Sequence, residues 1–139
     1  MGDLGGAVRT SLEPVLADTK LVFVDNSNTV LSTNMSEDLF RIAREAVVNG
    51  VIHGKADVVT MTLDTDDGIA LAIHDNGMGV DPTELDRKPG HLGTRAMSER
   101  ARERGGSCRI EPDERGGTLV SVWLPHPLAS STPSSFQPA

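Results

Sequence analysis

At 139 residues and 14.8 kDa the chain has room for one hydrophobic core, and a 37% hydrophobic content is enough to fill it. A formal charge of −7 argues against general binding to phosphate backbones, and three Phe, one Trp and no Tyr leave little for stacking on single-stranded nucleic acid. A single cysteine, Cys108, excludes an internal disulfide framework or multi-cysteine zinc site; no apolar run approaches the roughly 20 residues that span a bilayer, and the start MGDLGGAVRT lacks the basic and apolar regions of a secretory signal, so a cytoplasmic protein is expected.

Taken in chain order, residues 7–17 are weakly helical, with Pro14 as an interruption, and residues 20–25 (KLVFVD) read as a strand. The strongest helical pattern covers 37–53: Leu39, Ile42, Ala46, Val47 and Val51 recur at helical spacing, Ser36 is the expected N-cap and Gly54 the expected stop. Residues 57–64 and 68–74 alternate as two strands of a hairpin, joined through Asp66-Asp67-Gly68. After the turn 75–79 (DNGMG) comes a polar, irregular stretch, 80–92, expected to be mobile until a ligand orders it. A helix over 93–104 ends at Gly105-Gly106, and a second hairpin joins 107–111 to 117–124. The order predicts an α+β fold: a two-layer sandwich of a mixed, mostly antiparallel sheet with helices on one face. Residues 1–19 read as a lead-in segment, 20–125 as the domain and 126–139 as a disordered Pro/Ser-rich tail.

Charge is divided along the chain. Residues 1–86 carry 5 Lys/Arg against 15 Asp/Glu, whereas residues 87–115 carry 8 against 5. The basic part suits an anionic ligand, with Arg87, Lys88 and Arg95 set among glycines; Arg100, Arg102, Arg104, Glu99 and Glu103 read as a solvated helix face with mixed pairs.

Three polar clusters stand out. Glu45, Asn49 and His53, at i, i+4 and i+8, share one helix stripe; a carboxylate and an amide one turn apart suit a hydrated magnesium ion and a reacting water or hydroxyl. Asp75-Asn76-Gly77-Met78-Gly79 follows an apolar strand, where a carboxylate can accept from an exocyclic amine and glycines allow close backbone approach. Gly90-His91-Leu92-Gly93-Thr94 leads into a helix N-terminus, which favours phosphate. Taken singly, the three also read as a solvated helix face, an ordinary Asp-Asn-Gly turn and a flexible loop.

In their order and separation these segments resemble the GHKL ATP-binding domains of gyrase, Hsp90, sensor histidine kinases and MutL. Glu45–His53 resembles the N box, Asp75–Gly79 the G1 box and Gly90–Ala101 the G2 region, and Gly116-Gly117-Thr118 with Leu124-Pro125 resembles the last strand. The resemblance covers roughly residues 20–125 and is greatest to the catalytic domain of NarX, DesK and DevS-type two-component sensor kinases. It departs at Thr94-Arg95-Ala96-Met97, where that group more often has Leu-x-Gly/Asn-Met.

The resemblance implies the Bergerat fold, with ATP and Mg2+ bound. It implies that Glu45 activates the attacking group, that Asn49 binds magnesium and that Asp75 holds the adenine amine. Gly77 and Gly79 would shape the base pocket, and Gly90, His91, Leu92, Gly93 and Thr94 would close over the phosphates, with His53 and Lys88 as phosphate neighbours. No histidine precedes His53. A phosphoacceptor His is therefore expected on a separate dimerisation domain, with a response regulator as the indirect partner and no direct contact with nucleic acid or membrane. The implied function is the ATP-binding catalytic domain of a sensor histidine kinase; the alternatives are a stand-alone serine kinase of the anti-sigma-factor class and a non-catalytic nucleotide-binding module.

Overall fold

Strict alternation in three segments sets the sheet. The computed structural model describes residues 4–28, 31–78 and 94–125. Strand β2 (Val58–Asp64) buries Val59, Met61 and Leu63, and β3 (Ile69–Asp75) buries Ile69, Leu71 and Ile73; β5 (Thr118–Leu124) buries Val120, Val122 and Leu124. A period of two directs all of them to one face. With β1 (Lys20–Asn26) and β4 (Ser107–Pro112) as edges, the strand order is β1-β2-β3-β5-β4. Three pairings are antiparallel and β1 runs parallel to β2, with Lys20 opposite Val58. The sheet is therefore mixed and mostly antiparallel, as expected. Both hairpins form, the first turning through Gly68 at φ +75° and the second through Gly116 and Gly117 at φ +103° and +85°.

Helices cover the apolar face. The segment read from the sequence as a lead-in contributes α1 (Leu4–Ser11) and α2 (Glu13–Leu16); Leu4 and Val8 of α1, Leu16 of α2 and Leu12 between them are buried in the common core. Pro14 sits in the first turn of α2, where an amide would lack a helical partner anyway. Arg9 Nη2 donates to the Leu21 carbonyl at 2.7 Å, fastening α1 to β1.

Helix α3 (Thr33–Val48) starts a turn earlier than its apolar stripe suggests. Ser32, not Ser36, is the N-cap: its backbone is extended and its hydroxyl accepts from Met35 N at 3.1 Å. Ser36 lies inside the helix and is buried, and a helical residue cannot cap its own helix. Leu39, Ile42, Ala43, Ala46 and Val47 pack onto the sheet. The α-helix gives way at Asn49 to a π-helical turn, Asn49–His53, in which Gly54 N donates to Asn49 O at 2.9 Å. Gly54 is the cap that ends the helical run, as expected, but in a right-handed conformation (φ −90°); the left-handed residue just beyond it is Lys55, at φ +56°.

Helix α4 (Thr94–Glu103) buries Met97 and Ala101 against the same core. Just past its end, Arg104 Nε meets Asp38 Oδ2 of α3 at 2.5 Å. The tail 126–139 lies outside the described residues.

Candidate functional site

Two of the three sequence clusters, those of Asn49 and Asp75, meet at the end of β3. Asp75 is its last residue and follows the inward alternation of Ile69, Leu71 and Ile73, so its carboxylate points into the helix layer and is only 5% exposed. A buried carboxylate requires donors. One is local: Gly77 N donates to Asp75 Oδ1 at 2.8 Å. Among the described residues no hydrogen bond is made to Oδ2, which keeps acceptor capacity for an amine.

Backbone surrounds this side chain. A Cβ on Gly50, in the π turn, would lie 2.9 Å from both Asp75 Cβ and Oδ2. A Cβ on Gly77 would run into the Gly54 carbonyl, and one on Gly117 into the carbonyl of Asp75 itself. The glycines thus remove side-chain bulk where three segments meet. Met78 N donates to Gly54 O at 2.8 Å, joining the turn after β3 to the π turn. Asn76 Oδ1 accepts from Asp57 N at 2.8 Å and Val58 N at 2.9 Å, bracing that turn against the start of β2.

Asn49 and Glu45 continue the site up α3. Both are half-buried, and Asn49 Oδ1 is shielded from solvent. Glu45 borders a cleft of about 330 Å³ between α3 and α4, lined also by Phe40, Arg41, Arg44, Ala96, Met97 and Arg100. With three arginines and one glutamate in its lining, this cleft is basic. His53 is exposed, at the end of the π turn.

Thr94 opens α4. Gly79, Lys88, Gly90, His91, Leu92 and Gly93, together with the rest of the 80–92 stretch, lie outside the described residues. The structure therefore brings Asp75 and Gly77 together with the Asn49 turn, and sets Glu45 about one helical turn away on the cleft. Gly50, Gly54, Asn76 and Gly117 were not singled out from the sequence as parts of this site. A signal was present for Gly50: a glycine inside a strong helical pattern costs about 1 kcal/mol relative to alanine and so implies a packing or functional reason.

Comparison with known proteins identifies the family. Residues 34–128 match the family described as histidine kinase-, DNA gyrase B- and HSP90-like ATPase. The nitrate/nitrite sensor protein NarQ of Escherichia coli is 35% identical over 126 residues, covering 86% of this chain and 22% of NarQ. The sensor histidine kinase LiaS of Bacillus subtilis is 34% identical over 102 residues, covering 73% of this chain and 28% of LiaS. The chain thus spans about a quarter of the length of these two curated relatives. Among solved structures, the ATP-binding domain of PrrB from Mycobacterium tuberculosis superposes with a TM-score of 0.74 at 26% identity, covering 90% of this chain and 93% of that one. The family match extends over most of the chain and includes both the α3 cluster and the Asp75 turn: the chain belongs to the histidine kinase-, DNA gyrase B- and HSP90-like ATPase family.

Proposed function

We propose that the chain is the ATP-binding catalytic unit of a two-component sensor histidine kinase, which supplies the γ-phosphoryl group of Mg-ATP to an acceptor histidine on a separate dimerisation domain, and through it to a response regulator. The observation that carries this reading is the buried Asp75 carboxylate, held by Gly77 and walled by the backbone of Gly50 and Gly54. Such a socket admits a flat ring whose edge donates an amine to Oδ2. Adenine offers that amine; guanine has a carbonyl at the matching ring position and would set oxygen against oxygen.

Asn49 continues the site toward the phosphates. Among the described residues no group of three or more His, Cys, Asp or Glu side chains could hold a metal ion. The solvent-shielded amide oxygen of Asn49, a hard ligand, fits a magnesium ion that takes its other ligands from phosphate oxygens and water. When bound, the ion would neutralise charge on the transferring phosphoryl group.

Glu45 is suited to act on the acceptor. It faces the cleft between α3 and α4, where an acceptor side chain can approach, and its carboxylate can take or orient the proton of the attacking group. Arg41, Arg44 and Arg100 make the mouth of that cleft attractive to an acidic partner surface. Because catalysis of this kind is mainly positioning, transfer needs the separate acceptor domain.

Calorimetry of the full chain with Mg-ATP and Mg-GTP tests the reading. ATP should bind at least about tenfold tighter, a difference equivalent to about 1.4 kcal/mol. Equal affinities would remove Asp75 as the base reader. Incubation with γ-labelled ATP should leave this chain unlabelled and label an added dimerisation domain that carries the acceptor histidine.

A further inference from the structure

The alternation that points Asp75 into the site points its neighbour His74 to the opposite, open face of the sheet. There His74 reaches the turn between β4 and β5. Its Nε2 lies 2.9 Å from Asp113 Oδ2 and 3.2 Å from Gly116 O, so one ring nitrogen touches both ends of the turn. Within the turn, Asp113 N donates to Gly117 O at 3.0 Å and Gly116 N to Asp113 O at 2.9 Å. Arg115 closes the other side: its backbone N donates to Asp113 Oδ1 at 3.1 Å and its Nη2 to Oδ2 at 3.3 Å. These donors hold the Asp113 carboxyl below its ordinary value, the Arg115 amide contributing most. The strand neighbours opposite His74, Thr60 on β2 and Leu119 on β5, are uncharged.

The last residue of this turn is Gly117, whose α-carbon sits directly against the Asp75 carbonyl. Two consecutive left-handed glycines give the turn little stiffness of its own. We propose that His74 is a positioning residue for Asp75: by clamping the Asp113–Gly117 turn it keeps Gly117 seated on the Asp75 backbone, and so sets nucleotide affinity from the face of the sheet opposite the site. The proposal rests on Asp75 being the base reader. It makes the β4–β5 turn part of the affinity-determining structure.

The test combines ATP calorimetry with amide hydrogen exchange on the full chain. His74→Leu removes the donor and keeps an apolar side chain of similar reach. It should weaken ATP binding about fivefold, the scale of one partly exposed hydrogen bond, and speed exchange at Gly116 and at Gly77, the amide held by Asp75. His74→Gln, which can still donate to Asp113, should restore affinity to within about twofold. His74→Leu combined with Asp113→Ala should bind no more weakly than His74→Leu alone, because both remove one clamp. A folded His74→Leu chain with wild-type affinity and unchanged Gly77 exchange overturns the proposal. If the wild-type chain binds no ATP, the base-reader assignment fails; Gly77 exchange then decides the clamp, with unchanged exchange overturning it and faster exchange supporting it. Should His74→Leu not fold, Asp113→Ala, changed only in the turn, carries the same measurements.

Discussion

Gly50 and Asp75 touch across the two layers of the fold: a Cβ built on Gly50 would lie 2.9 Å from the Asp75 Cβ and Oδ2. One belongs to the turn that ends the long helix, the other to the end of a central strand. Asp75 cannot swing away, because it is buried and Oδ1 is held by Gly77 N. Gly50→Ala should therefore displace Asp75. The gain in helix propensity, at most about 1 kcal/mol, opposes an overpacking cost of roughly 1–3 kcal/mol. A lower thermal midpoint together with at least about tenfold weaker ATP binding is expected from calorimetry. An unchanged affinity would mean that the turn yields instead.

Asp75→Asn separates recognition from folding. The amide oxygen of Asn can still accept from Gly77 N, while its NH2 replaces the acceptor offered to adenine. The melting temperature should change little. ATP affinity should fall about tenfold or more, since two donors then face each other in a buried socket. Paired melting and titration curves check both halves.

The two α3 positions should part kinetically. Asn49→Ala should abolish the magnesium dependence of ATP binding, seen by titration with and without the ion. Glu45→Ala should bind ATP nearly as the wild type yet transfer phosphate to the acceptor domain about 100-fold more slowly or worse, as befits a group acting on the reacting proton.

Cys108 supplies a prediction independent of nucleotide. Burial pushes its thiol from an ordinary 9.0 up to about 11, offset in part by a hydrogen bond from Ser98. Iodoacetamide at pH 8 should therefore modify the folded chain far more slowly than the chain in denaturant, since thiolate is the reactive form. The sign for stability follows. Between about pH 9 and 11 the unfolded chain releases this proton first, so the contribution is complete below pH 9 and is lost as pH rises toward 11. Urea midpoints compared between the wild type and Cys108→Ser across that range measure it.

Much of the sheet could be read in advance because half-buried strands alternate. β2, β3 and β5 each bury every second residue, which is the pattern visible along DVVTMTLD, GIALAIH and GTLVSVWL. Asp75 stood out as a carboxylate directly after an apolar strand, and Asn49 by its i+4 spacing from Glu45 on one helix stripe. Other features follow from tertiary contacts that leave no local trace. Ser32 and Ser36 are equally good caps by composition, and backbone conformation selects the first. The core role of Leu4 and Val8 comes from packing, since α1 is weak by propensity. The π turn widens only because Gly50 must pass over Asp75 and Gly54 must receive Met78, a meeting of residues far apart in the chain.

The parallel pairing of β1 with β2 has a kinetic consequence. The β2–β3 hairpin closes over a short loop, whereas pairing Lys20 with Val58 closes a loop that holds all of α3. Contacts that close long loops are the slow ones. Asp75 arrives with the hairpin and Gly50 with the crossover, so the two walls of the socket join only as the native state is completed. A ligand that needs both walls finds nothing to bind in the folding transition state. ATP should leave the refolding rate of this chain unaltered and act wholly as a brake on unfolding, lowering that arm of a stopped-flow chevron in proportion to its occupancy.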